Sequence, residues 1–170
     1  MTIKYAVGSE RIGAYRREIT DIRQKIRAAQ AEIEPQEVAD YGFKTPEGTV
    51  HLSELFKDHS DLMVVHNMGS SCPSCTLWAD GYNGVHHHLI TRTSFVVSSP
   101  DPPEVQRQFA QGRGWKFPMV SHMGTNFAAD MGYRSEKGGW RPGDDFCTLW
   151  HFFDLLPEGA AGWSPKLNYP

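Results

Sequence analysis

Residues 62–89 read LMVVHNMGSSCPSCTLWADGYNGVHHHL. How this stretch divides decides the fold. Leu62 to Met68 is a short apolar run rich in β-formers, which predicts a central strand covered on both faces. Two of the chain's three cysteines follow at once, as Cys72-Pro73-Ser74-Cys75. Thr76 to Leu89 reads as a helix, with a break expected near Gly81 and Gly84.

A close cysteine pair at a strand–helix junction suits redox chemistry for three reasons. With Cys72 at the helix start, Cys75 lies one turn on and on the same face. That geometry meets the roughly 4.4–6.8 Å Cα separation a disulfide needs. The first helical turn has free N–H groups and the positive dipole end, and both favour a thiolate over a thiol. Pro73 suits the first helical position, since it has no N–H to lose. Gly69, Ser70 and Ser71 read as a flexible approach. Cys72 is then the exposed, attacking sulfur, and Cys75 the deeper one that resolves the mixed disulfide. Trp78 walls the site, and Asp80 is a proton acceptor for the buried thiol.

Two other readings of the cysteines stay open. They are an inert core pair, or half of a zinc site with His86 and His88. Tetrahedral zinc takes two cysteines and two histidines, but a C-x2-C-x10-H-x-H spacing puts the histidines on different helix faces. His86 to His88 read instead as an exposed helix end, where a cation complements the negative dipole. Cys147, in FCTLWHFF, reads as a core residue; the alternative is a second resolving cysteine.

Outward from this centre, Thr93–Val97 and Phe117–Ser121 predict further strands, and Glu104–Gly112 a helix ending at glycine. Asn126–Met131 predicts a short helix. Upstream, residues 38–56 predict a strand, a turn at Pro46-Glu47-Gly48, a second strand and a short helix capped by Ser53. Strand and helix alternate from 62 to 131, which implies a mostly parallel α/β sheet. Residues 10–34 form the clearest periodic segment. Tyr15, Ile19, Ile22, Ile26, Ala29 and Ile33 make a helical stripe, and Pro35 ends it. The stripe either packs on its own domain or joins a second subunit, since its spacing also fits a heptad run.

Composition bounds the rest. With 39% hydrophobic and 22% charged residues in 170, the chain reads as globular and long enough to bury a core unaided. A net charge of −3 gives no basic surplus for nucleic acid. No run is apolar and long enough for a membrane span, and the N-terminus carries no signal-peptide pattern. A cytoplasmic location is expected. Three cysteines make no disulfide framework, and in a reducing compartment a close pair is catalytic or metal-binding.

The runs LMVVHNMGSSCPSCTLWADGYNG, HLITRTSFVVSS, GRGWKFPMVS and WHFFDLLPEGAAGWSPKLNY resemble an uncharacterised bacterial family. Its members have a thioredoxin-like fold and are labelled predicted dithiol–disulfide oxidoreductases. The match covers most of residues 38–170. The resemblance implies a thioredoxin-like domain near the peroxiredoxin branch in layout, with an attacking cysteine at Cys72 and its partner at Cys75. Such folds set a cis-proline opposite the dithiol, heading a hairpin. Here Met131-Gly132-Tyr133 runs through a Gly-rich, charged stretch straight into FCTLWHFF, so the hairpin is missing. Pro142 and Pro118 are the candidate prolines. Either the sheet is small or a neighbouring chain completes it.

The expected molecule is a three-layer α/β domain of thioredoxin-like type over 38–170, with a central mixed sheet. An N-terminal amphipathic helix extension covers 1–37. Its expected activity is thiol–disulfide exchange through Cys72 and Cys75, with Trp78, Pro118 and Pro142 on the substrate side. Its partners are a protein or small-molecule disulfide and a reductant. No cofactor or metal is required, because the dithiol stores two electrons itself. A homodimer through the N-terminal helix is open. The alternatives are a thiol peroxidase, and a non-catalytic binding or assembly protein that keeps the fold.

Overall fold

Helix α1 spans Glu10–Ala31. Ser9 is extended, and its hydroxyl accepts from the Ile12 amide at 3.3 Å, capping the free first turn. Glu10 sits at the positive dipole end. The helix stops short of residue 34 because Pro35 disfavours α geometry at the residue before it. The Glu32 and Ile33 amides close it on Ala29 and Gln30. The apolar stripe of α1 has no buried member. A computed structural model describes residues 9–133, 147–149 and 161–168. The chain divides into two compact units, residues 1–39 and 40–170.

The second unit begins with a hairpin, β1 (Gly42–Thr45) and β2 (Gly48–His51). Gly48 takes φ +139, a region that L side chains rarely adopt. A single 3-10 turn follows at Leu52–Phe56. Ser53 does not cap it. The Glu54 carboxylate accepts from the His51 amide at 2.6 Å, while Ser53 donates its amide and hydroxyl to Asp40 at 2.8 and 2.9 Å.

Then come β3 (Leu62–His66), α2 (Pro73–Leu89), β4 (Ser94–Ser99), α3 (Pro103–Arg113), β5 (Met119–Ser121) and α4 (Phe127–Asp130). The sheet order is β2-β1-β5-β4-β3. β3, β4 and β5 are parallel; β1 is antiparallel to β2 and to β5. This is a mixed α/β sheet with the expected strand–dithiol–helix unit in place. Three expectations change. Among the described residues β3 is paired on one side only, and the strand buried along its whole length is β4. α2 runs unbroken through Gly81 and Gly84. α3 passes Gly112 and ends at Gly114, whose φ of +67 is the left-handed cap.

Alternation along the strands builds two cores. Val96 and Val120 point to one face, with Phe43 and Phe127, and the 3-10 turn adds Leu52 and Leu55. Phe95 and Val97 point to the other, with Phe117, and α2 adds Ala79, Tyr82 and Leu89. Each buried Phe contributes about 1.5–3 kcal/mol of transfer energy. α3 is tied to α2 by the Arg113 guanidinium, which donates to both Asp80 oxygens at 2.9 and 2.5 Å.

Candidate active site

Parallel strands β3, β4 and β5 end together, and the dithiol lies just past the end of β3. Open α/β sheets gather ligands at this end. Three contacts hold the segment between His66 and Cys72. The Asn67 side-chain oxygen accepts from the Gly69 amide at 2.8 Å. Asp101, following β4, accepts from the Ser70 amide at 2.7 Å. The Cys72 amide donates to the Gly69 carbonyl at 3.1 Å. Gly69 has φ +109, and a Cβ there would stand 2.9 Å from an Asp101 carboxylate oxygen. The approach read as flexible is therefore a pinned turn that admits only glycine at its bend.

Cys72 is the N-cap of α2, with φ −95 and ψ 106, and Pro73 opens the helix. Its sulfur accepts from the Cys75 amide at 3.2 Å, so it takes the place of a capping hydroxyl. The Cys75 sulfur accepts from the Met68 amide at 3.5 Å. The two sulfurs are 2.7 Å apart. A disulfide needs about 2.05 Å, so a small side-chain rotation joins them. Asn67 and Thr76 donate to the carbonyls of Cys75 and Cys72, at 3.4 and 2.9 Å. Both cysteines are half-buried.

Trp78 is half-buried one turn after Cys75. Asp80 is committed elsewhere. Its carboxylate receives Arg113 and the Trp115 indole N–H, the latter at 2.8 Å. These three hydrogen bonds direct it to tying α2 to α3, and Arg113 also donates to the Leu167 carbonyl at 3.0 Å. Pro118 precedes β5 and is exposed. It lies two strands from β3, beyond β4, so it does not face the dithiol. No peptide bond among the described residues is cis. Pro142 falls outside the described residues.

The histidine run also divides. His87 and His88 are exposed in the last turn of α2, as expected. His86 turns inward, with its ring 5.7 Å from Phe95 and 6.2 Å from Phe117, and burial lowers its pKa. His86 is 11 residues along one helix from Cys75, about 16 Å, so the four-ligand zinc set cannot converge. Among the described residues no three His, Cys, Asp or Glu side chains gather as metal ligands. Cys147 is buried. It stands with Cys75 within electrostatic reach of Tyr82, whose phenol is pushed up to about 12 chiefly by burial.

One feature had no sequence signal. The His66 ring stacks with His122, centroids 5.0 Å apart, and with Tyr133, 4.8 Å apart. The Ser98 hydroxyl and His122 Nδ1 are 2.8 Å apart. Burial first, then the neighbouring His122, pushes His66 down to about 4; burial also lowers His122. In both rings burial favours the neutral imidazole.

The chain belongs to a family of bacterial proteins of unknown function, DUF899, whose model matches residues 12–145. No curated protein matches it. Solved structures similar to it include the following two. The crystal structure of peroxidoxin BcpB from Mycobacterium tuberculosis is 26% identical, with a TM-score of 0.49, covering 61% of this chain and 68% of that one. The solution structure of a "putative protein disulfide isomerase" from Bacteroides thetaiotaomicron is 19% identical, with a TM-score of 0.45, covering 55% and 60%. At TM-scores below 0.5 neither likeness carries an argument about chemistry. Among the described residues no helix is long and apolar enough to cross a membrane.

Proposed function

We propose that this protein exchanges electrons between thiols and disulfides through Cys72 and Cys75, in a reducing compartment such as the cytoplasm. The observation that supports this best is the pair of sulfurs 2.7 Å apart, each accepting a backbone amide, at the junction of β3 and α2. Amide donors stabilise a sulfur anion without a cofactor.

The step balances within the dithiol. The Cys72 thiolate attacks one sulfur of a substrate disulfide. A Cys72–substrate S–S bond forms, and the second substrate sulfur leaves as a thiolate that takes up a proton. The Cys75 thiolate then displaces the first substrate sulfur, closing the Cys72–Cys75 disulfide. Two electrons and two protons pass from protein to substrate, and a dithiol reductant restores the starting state. Trp78, on the turn after Cys75, offers an apolar wall for the substrate.

The test is catalysed reduction of a disulfide-bonded peptide with dithiothreitol as reductant. Turnover that vanishes in Cys72→Ser supports the reading. Cys72→Ser turning over like the native chain removes it. Oxidation of Cys72 by peroxide far faster than by any disulfide replaces it with a peroxidase.

A further inference from the structure

α1 carries Ile12, Ile19 and Ile26 seven residues apart, with Tyr15, Ile22 and Ala29 interleaved, and Ile33 continues the spacing just past its end. Steps of three and four make a narrow seam, as in a coiled coil, rather than the wider stripe of a helix laid on a domain. Along it Ile12, Tyr15, Ile19, Ile22 and Ile26 are between 45% and 53% exposed.

The charges beside the seam select the occupant and its direction. Arg11, Glu18, Lys25 and Glu32 line one flank; Arg16, Arg23 and Gln30 line the other. Two parallel copies would set Arg11 against Arg16, Glu18 against Arg23 and Lys25 against Gln30. That is one like-charged, one opposite and one neutral pairing. Two antiparallel copies, with Ile19 against Ile22 of the second copy, bring together residues of the same flank. Glu18 then meets Lys25, Arg11 meets Glu32, and Arg16 meets Arg23 as the one like-charged pairing, each of the three occurring twice by symmetry as the parallel pairings do. The same register sets Tyr15 against Ile26 and Ile12 against Ala29, so each of these layers is apolar on both sides. Arg11 already leans over this edge, with its guanidinium 5.7 Å from the Tyr15 ring centre and its Nε donating to the Tyr15 hydroxyl at 3.1 Å.

We propose that α1 pairs antiparallel with α1 of a second copy of this chain, about a two-fold axis between Thr20 and Asp21. The interface is isologous: each copy presents the same seam to the other.

Sedimentation equilibrium of the full chain, from about 1 to about 200 µM, tests this. The expected mass rises to twice the 19.2 kDa of the chain. Ile19→Asn with Ile26→Asn leaves it at the single mass. Glu18→Lys alone, or Lys25→Glu alone, turns two attractions into repulsions and raises the dimer dissociation constant about tenfold. Together they restore it to within about threefold of the native value, because the pair is exchanged and not lost. Parallel pairing gives no such rescue, since Glu18→Lys would still face Arg23. All four residues lie outside the buried core, so far-UV circular dichroism confirms that each variant folds. Three results overturn the proposal. They are a monomer at every concentration, a dimer indifferent to the two asparagines, and single reversals that weaken the dimer without rescue by the double.

Discussion

α2 has 17 residues, with two glycines in its interior and three consecutive histidines near its end; α1 has 22 and a regular apolar seam. By local propensity α1 is the better helix. Yet α2 packs Ala79, Tyr82 and Leu89 on the sheet, while no residue of α1 is buried. The contrast separates two sources of helical order. α2 exists because a buried face and a capped N-terminus hold it, and that same N-terminus carries the sulfurs. α1 is written by its own pattern and has its seam left over. Function and stability should therefore respond to changes in α2 and its packing, and association to changes in α1.

The largest separation is in catalysis. Cys72→Ser lowers disulfide turnover by on the order of a thousandfold or more, whereas Ile19→Asn with Ile26→Asn leaves it unchanged at matched protein concentration. Initial rates check both. A large loss from the α1 variant would break the comparison.

Packing comes next. Phe117 is 5% exposed and touches Phe95, Trp115 and His86. Phe117→Ala costs about 3–5 kcal/mol in urea unfolding. Ile22→Ala, at a protein concentration low enough to be monomeric, costs less than about 0.5 kcal/mol.

Acid gives a smaller effect on the same unit. His66 is pushed down to about 4 in the fold, below its ordinary value near 6.5. As pH falls, the unfolded chain takes up this proton first. The stabilisation is thus complete above about 6.5 and is lost progressively down to about 4, at which point on the order of 2 kcal/mol is gone. Urea midpoints measured at intervals from pH 7.5 to 4 check the slope, and His66→Gln flattens it.

The smallest effect is a gain. A Cβ at Gly81 or Gly84 would meet nothing within 4 Å. Gly81→Ala and Gly84→Ala each stabilise by about 0.5–1 kcal/mol. A loss would mean that the α2 interior needs its glycines.

The alternation of strand and helix from Leu62 to Asp130 was legible because periodicity and punctuation are local signals. The dithiol was legible for the same reason, since CPSC stands directly between an apolar run and a helical one. What failed was long-range. Nothing around Asp101 says that it pins Ser70, 31 residues upstream. Asp80 looked free for proton transfer because its partners Arg113 and Trp115 lie 33 and 35 residues on. Leu62 to His66 reads as the most covered strand because it is apolar, but β4, with three serines in six residues, is the one buried along its whole length, since burial is set by what packs on a strand and not by its composition. The stack of His66, His122 and Tyr133 arises where three separate segments end, and no spacing announces it.

The central claim is that Cys72 and Cys75 form one reversible two-electron couple. Equilibrating the protein in glutathione buffers of known ratio, then trapping and counting free thiols, tests it most directly. The account predicts a single transition in which both thiols disappear together, between about −270 and −120 mV, and its absence in Cys75→Ser. Two thiols that stay reduced across the whole range, or that are lost independently of each other, would contradict it.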